Sequence, residues 1–272
     1  MKRCDFNTGW TCRPLSREGD AVPVTLPHDA MRTERRVETS LGEGNIGWFE
    51  GGDYEYKKLF SVPSDLQGQT LILEFESVYH NAEVCLNGEK LAFRPYGYTN
   101  FYVDLTSHLK DGENELTVIA RNADQPNSRW YSGTGIYRPV WLWAAKDEYI
   151  LLNGVRIETL GISPARIRAS VKTSVAGKAK FEVLSGDACI AVFEIDADPA
   201  GSNPIEITLP DAKLWSPEEP NLYTARVTFG EDVVEETFGI RTLTWTPDKG
   251  IAINGKRTVI RGACIHHDNG LL

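Results

Sequence analysis

Apolar and polar residues alternate along most of this 272-residue chain, and this period-two pattern constrains the fold more than any other feature. The alternating runs are rich in β-branched and aromatic residues, as at 54–62, 70–78 and 83–86. Such runs are typical of strands that bury one face of a sheet. Asn87 and Gly88 follow the third run directly, which predicts a type I′ hairpin. Little of the chain has the 3.6-residue period of a helix, so we predict an all-β fold.

The composition is that of a globular protein and excludes several classes of partner. Hydrophobic residues make up 41% of the chain and charged residues 25%, which is ordinary for a folded domain. The net charge of −9 argues against nucleic acid and anionic membrane as partners, because both require a basic surface. The five cysteines are scattered and form no Cys-x-x-Cys pair. We therefore expect reduced thiols and a cytoplasmic location, with no zinc site.

From about residue 148 the predicted strands become shorter and less aromatic. Seven of them, separated by turn residues, predict an immunoglobulin-like β-sandwich. They lie at 155–158, 166–173, 179–184, 190–195, 205–209, 224–229 and 233–238. A turn at 247–250 then introduces a further hairpin, Ile251–Lys256. We predict three domains: 1–147, 148–242 and 243–272.

The segment 127–138, Asn-Ser-Arg-Trp-Tyr-Ser-Gly-Thr-Gly-Ile-Tyr-Arg, is the densest group of candidate binding residues. Trp130 and Tyr131 offer ring faces that can stack on sugars, and Asn127 and Arg129 offer planar donors for hydroxyls and carboxylates. The segment falls between two predicted strands, which places it in a loop. The alternative is a buried aromatic corner whose glycines serve only a tight backbone path.

At the other end of the sequence a predicted strand, Thr258–Cys264, runs into His266, His267 and Asp268. An apolar strand without a partner leaves backbone groups unpaired, so we expect the chain to be part of a longer protein. The alternative is a natural last strand that completes a sheet. Adjacent histidines on a strand point to opposite faces, which disfavours a metal site here.

These segments, in this order, resemble the N-terminal part of the enzymes of glycoside hydrolase family 2, which includes β-galactosidases, β-glucuronidases and β-mannosidases. The similarity spans essentially the whole chain. The matching motifs are Phe6-Asn7-Thr8-Gly9-Trp10, Leu26-Pro27-His28-Asp29, Gly52–Phe60, Arg129-Trp130-Tyr131-Ser132-Gly133, Gly135–Val140, Phe238-Gly239-Ile240-Arg241, Asn254-Gly255-Lys256, Ile260-Arg261-Gly262 and His266-His267-Asp268.

The resemblance implies a jelly-roll sugar-binding-like domain, the immunoglobulin-like sandwich and then the first strand or strands of a truncated (β/α)8 barrel. It also implies a retaining β-glycosidase, with β-galactosidase favoured, β-glucuronidase as the alternative, and no cofactor. The two catalytic glutamates of the family lie further along the barrel, so no residue here is expected to be catalytic and the chain alone is expected to be inactive. Glu74 and Glu76, on one face of a strand, are predicted to be solvated.

Sugar contacts implied by the resemblance come from the first-domain loop and from the start of the barrel. We therefore expect a carbohydrate substrate to be bound in the full-length enzyme by Asn127, Arg129, Trp130, Tyr131, His266 and Asp268. In several relatives an aspartate stands where this chain has Arg129, and the nearest aspartate here is Asp124. The sequence is compatible with a whole enzyme that forms a homo-oligomer. A free-standing carbohydrate-binding module is the alternative function class, although such a module has no need of residues 250–272.

Overall fold

The computed structural model describes residues 1–15 and 17–265, and the predicted all-β fold is confirmed throughout this part of the chain. Strands are joined by loops and by four short 3-10 turns, Ala30–Thr33, Glu43–Ile46, Ser64–Leu66 and Thr106–His108. The chain divides into two compact units, Lys2–Ala145 and Lys146–Ala263. None of the described helical segments is both long and apolar enough to cross a membrane.

The first unit contains two antiparallel sheets that share one hydrophobic core. Its strands are β1 Lys2–Asp5, β2 Trp10–Pro14, β3 Val22–Val24, β4 Tyr54–Ser61, β5 Thr70–Phe75, β6 Ala82–Leu86, β7 Glu89–Arg94, β8 Phe101–Asp104, β9 Glu113–Ala120 and β10 Val140–Ala145. One sheet has the order β3-β2-β4-β9-β6-β7, and the other has the order β1-β10-β5-β8. Alternate residues of both sheets point into the core, as the period-two pattern predicts.

The hairpin between β6 and β7 confirms the turn signal in the sequence. Asn87 and Gly88 both have positive φ angles, +52° and +85°, as a type I′ turn requires. The Asn87 side chain also accepts a hydrogen bond from the Glu115 backbone N–H at 3.0 Å. This contact joins the turn to β9.

The prediction that Glu74 is solvated was wrong. Glu74 lies on β5 and is only 8% exposed. Its carboxylate accepts hydrogen bonds from the Trp143 indole N–H at 2.8 Å and from the Asn100 amide at 3.2 Å. These neighbours come from other elements of the fold, so they could not be read from the alternation within β5.

The second unit contains a sandwich of two sheets and a small third sheet. Its strands are β11 Ile150–Ile162, β12 Ala165–Thr173, β13 Gly177–Ser185, β14 Ala188–Ala197, β15 Ile205–Thr208, β16 Tyr223–Phe229, β17 Asp232–Phe238, β18 Leu243–Thr246, β19 Gly250–Ile253 and β20 Lys256–Arg257. The sandwich sheets have the orders β11-β12-β15 and β14-β13-β16-β17, and the third sheet is β18-β19-β20. Both sandwich sheets contribute to one core centred on residues such as Phe181 and Val227.

The strand predicted at Thr258–Cys264 does not form a ladder in the part of the chain that the structure describes. Thr258 donates one backbone hydrogen bond to Ile251 at 2.9 Å, and the pairing with β19 ends there. Val259 and Ile260 are each 70% exposed. A strand requires a neighbouring strand for its backbone groups, and the described residues supply none beyond Thr258.

Candidate functional site

Two long connections of the first unit lie side by side at one place in the fold. The first connects β3 to β4 over residues 25–53, and the second connects β9 to β10 over residues 121–139. Backbone hydrogen bonds of 2.9 Å join them, from the His28 N–H to the Ile136 carbonyl and from the Ala30 N–H to the Thr134 carbonyl. The loop that carries the candidate binding residues is therefore held by a second loop far away in sequence.

The carboxylate of Asp29 is the centre of this loop–loop contact. One oxygen accepts the backbone N–H groups of Met31 at 3.0 Å and Thr134 at 2.9 Å. The other accepts the Tyr131 hydroxyl at 2.6 Å. Gly133 has a φ of +67°, and a Cβ at that position would lie 2.8 Å from the same carboxylate. Asp29 thus fixes the path of the candidate loop.

His28 and Tyr56 form a second contact beneath the loop. The His28 Nδ1 and the Tyr56 hydroxyl are 2.9 Å apart. Burial lowers the pKa of His28 and raises the pKa of Tyr56 well above its ordinary value. Gly135 passes directly over Tyr56 with a φ of +118°, and a Cβ there would lie 2.0 Å from the tyrosine oxygen. Only glycine fits this approach.

The side chain of Asn127 forms hydrogen bonds within the first unit. Its amide N–H donates to the side-chain oxygen of buried Asn122 at 2.6 Å, and its oxygen accepts the Tyr79 hydroxyl at 3.1 Å. Asn122 in turn donates to the Gly133 carbonyl at 3.1 Å and to the Thr134 hydroxyl at 2.7 Å. Both polar atoms of the Asn127 amide are therefore engaged within the first unit.

The other candidate side chains of this loop differ in exposure. Arg129 is exposed, and within the described residues no carboxylate pairs with it. Trp130 is half-buried, and its indole N–H donates to the Tyr98 hydroxyl at 3.0 Å. Tyr131 is half-buried against Phe49, with ring centroids 5.8 Å apart. The loop therefore exposes the Arg129 cation and part of its aromatic side chains.

His266 and Asp268, the remaining predicted sugar contacts, lie outside the described residues. Across residues 1–15 and 17–265, no cluster of three or more His, Cys, Asp or Glu side chains is arranged to hold a metal ion.

Among the residues that hold the site together, Asp29 belongs to a motif recognisable in the sequence. Asp29 belongs to the motif Leu26–Asp29, which we used only as a mark of family resemblance. Tyr79, Tyr98 and Asn122 had no usable signal, because their roles depend on contacts between segments distant in sequence.

Comparison with protein families explains this arrangement of units. Residues 16–141 match the model of the glycosyl hydrolase 2 galactose-binding domain-like domain. Residues 155–241 match the model described as glycosyl hydrolases family 2. The chain belongs to glycoside hydrolase family 2. The family 2 models thus match most of each compact unit and include the candidate loop.

Individual relatives agree with this family 2 assignment. A β-galactosidase of Bacteroides ovatus is 33% identical over 100% of the chain, and a β-glucuronidase of Bacteroides fragilis is 26% identical over 97% of it. The chain spans 35% and 41% of the lengths of these two relatives. The crystal structure of a β-glycosidase from Bacteroides vulgatus superposes with a TM-score of 0.85 at 26% identity, covering 97% of this chain and 37% of that one.

Proposed function

We propose that this chain is the N-terminal, non-catalytic part of a retaining β-glycosidase that removes terminal β-linked sugars, and that the whole enzyme is a β-galactosidase. The observation that carries the proposal is the alignment of the Bacteroides ovatus β-galactosidase with the entire chain at 33% identity. The match includes both compact units, so it is not confined to one widespread domain.

The chemistry of such an enzyme supports a non-catalytic role for these residues. Retaining glycosidases use two carboxyl groups about 5 Å apart, one as acid and base and the other as nucleophile. In the described structure Asp29, Glu34 and Glu74 are each engaged by donors of their own unit. We therefore propose that the two catalytic carboxylates lie in another part of the enzyme and that the isolated chain is inactive.

The contribution of this chain would be to bind substrate through the candidate loop. Arg129 is exposed and carries guanidinium donors that match sugar hydroxyls, and the neighbouring Trp130 supplies an aromatic surface. We propose that both contact the sugar together with His266 and Asp268. Asn127 and Tyr131 would act by holding the loop, because their polar atoms are bonded within the unit.

A β-glucuronidase is the second candidate, and the Bacteroides fragilis relative favours it. A glucuronide carries a carboxylate, for which an exposed arginine is a suitable partner. The exposed position of Arg129 suits a β-glucuronidase as well as a β-galactosidase.

Two preparations test the proposal: the whole gene product and the 272-residue chain. We expect the whole protein to hydrolyse nitrophenyl β-galactoside faster than nitrophenyl β-glucuronide, and the chain to hydrolyse neither. The reverse preference would establish the glucuronidase. Turnover that follows the purified chain through every column would contradict the non-catalytic assignment. A whole protein that binds glycans but cleaves none would indicate a carbohydrate-binding module instead.

A further inference from the structure

Three aromatic rings from two separate loops form a row on the first unit, which we call the aromatic shelf: Tyr96, Tyr98 and Trp130. Tyr96 and Tyr98 meet edge to face with ring centroids 5.6 Å apart. The Tyr98 hydroxyl accepts the indole N–H of Trp130 at 3.0 Å. The loop 95–100, between β7 and β8, thereby extends the candidate loop 127–138 by two further aromatic residues.

The backbone at the centre of the shelf is fixed by contacts on both sides of Gly97. Its carbonyl accepts the hydroxyls of Ser77 at 2.5 Å and Tyr137 at 2.6 Å. Its Cα packs so closely on Tyr79 that an added Cβ would lie 2.5 Å from the ring. Tyr79 also packs edge to face on Tyr98 at 5.2 Å. The shelf is therefore preorganised, which reduces the ordering cost of binding a ligand.

The outer end of the shelf is open to solvent. Tyr96 is 56% exposed, while Tyr98 and Trp130 are half-buried. A tyrosine that packs on half-buried aromatics and still exposes much of its surface is suited to stacking against the face of a ligand ring. A single exposed tyrosine is ordinary on a protein surface. The rigid row behind Tyr96, continuous with the candidate loop, distinguishes it from that case.

The residues around the shelf indicate the chemistry of its ligand. Neither 95–100 nor 127–131 contains an acidic residue, and the charged side chain among them is Arg129. A glycosidic bond cannot be cleaved there, because cleavage by this mechanism requires paired carboxyl groups. A neutral sugar ring, whose apolar C–H faces stack on aromatic rings, fits this surface, where the Asn100 amide already donates to Glu74 and Tyr102.

We propose that the aromatic shelf binds a sugar of the substrate other than the one whose bond is cleaved, with Tyr96 stacked on its face. The shelf would then select β-linked oligosaccharides over glycosides with a small leaving group. This inference rests on the proposed function for its place in the reaction. Binding of glycan to the shelf can be measured without catalysis.

The first test uses the 272-residue chain and β-1,4-galactotriose, with galactose as the short probe. The indole N–H resonance of Trp130, assigned by its loss in Trp130→Phe, reports on the shelf because it bonds to Tyr98. We expect the trisaccharide to shift this resonance more strongly than galactose does. Tyr96→Ala should weaken binding about tenfold or more, as expected when the aromatic anchor of a binding site is truncated.

Phe93→Ala is the matched control, because Phe93 is an aromatic of similar exposure, 53%, at the end of β7 with its ring near the Lys90 ammonium. It should leave binding unchanged. Equal weakening by Phe93→Ala and Tyr96→Ala would overturn the proposal, as would a Trp130 resonance that no concentration of trisaccharide moves. Amide spectra of each variant verify that the unit is folded.

The second test uses the whole protein and compares kcat/KM for galactotriose with that for nitrophenyl β-galactoside. Tyr96→Ala should lower kcat/KM for galactotriose and leave kcat/KM for nitrophenyl β-galactoside unchanged. Equal effects on both substrates would overturn the shelf as a selectivity device. Failure of the whole protein to hydrolyse either substrate would refute the proposed function, and the binding test on the chain would still decide whether the shelf binds sugar.

Discussion

The two units of this chain build similar sandwiches but use their connections differently. In the second unit most strands follow one another through tight turns, and the longest connection within the sandwich is residues 209–222. In the first unit, connections of 29 and 19 residues, 25–53 and 121–139, pack on one another through partly buried polar contacts. Alternation is therefore enough to specify the sandwich, whereas the candidate site depends on a few polar and glycine positions between strands.

The largest expected effect is in the core of the second unit. Phe181 on β13 is fully buried, and Phe181→Ala should lower the free energy of unfolding by about 3–5 kcal/mol through lost burial and a cavity. Val192→Ala, at a position 55% exposed on β14, is the control and should cost little. Hydrogen exchange, followed peptide by peptide, would report the stability of each unit separately. A small loss for Phe181→Ala would show that packing does not dominate this unit.

Gly135→Ala tests whether a loop position in the first unit matters as much as a core position. The new Cβ would meet the Tyr56 hydroxyl at 2.0 Å, and we expect a loss of about 3 kcal/mol from overpacking and backbone strain. Gly112→Ala also has a positive φ, +80°, but meets nothing within 4 Å. Its cost should be about 1 kcal/mol. Equal costs in urea unfolding would mean that the contact with Tyr56 is unimportant.

Asp29→Ala should separate the two long loops without opening the sandwich. It leaves the Thr134 N–H and the Tyr131 hydroxyl without their acceptor, at a cost of about 2 kcal/mol. Amide exchange at Thr134 should accelerate, while exchange in β9 stays slow. Asp124→Ala, an exposed aspartate of the same connection, should change neither rate. Unchanged protection at Thr134 in Asp29→Ala would show that the loops hold together by other contacts.

The smallest effect concerns pH. Burial lowers the pKa of His28 and of His80 below the ordinary value of 6.5. The unfolded chain therefore binds these protons more readily, and stability should fall as the pH decreases from about 7.5 through 6.5. The pKa of Asp5 is also lowered, by hydrogen bonds from Asn7, but that contribution is lost only near and below pH 3.8. The melting temperature of the His28→Gln, His80→Gln double variant should depend less on pH than that of the parent. If the melting temperatures of the two proteins changed equally with pH, His28 and His80 would not be the cause of the pH dependence.

Most strands of both sandwiches could be predicted, because they follow local alternation and turn residues such as Asn87 and Gly88, whereas β1, β2 and β3 were not among the predicted strands. The loop position of Arg129 could be predicted too, because its segment falls between two predicted strands. The role of Asp29 could not be predicted, because its main partners lie more than one hundred residues away. The same limit applies to Glu74, whose burial depends on Trp143 and Asn100. Local patterns describe strands well, but they contain no information about which loops meet.

The contact between Asp29 and Thr134 spans 105 residues of sequence, and this separation has a consequence for folding. Closing a loop of that length costs chain entropy before any favourable contact forms. The strands between them must pair first to bring the two loops together, and long-range contacts of this kind slow folding. The candidate site should therefore be among the last parts of the first unit to acquire native structure. During synthesis, residues 25–53 would become ordered only after residue 134 had been added to the chain.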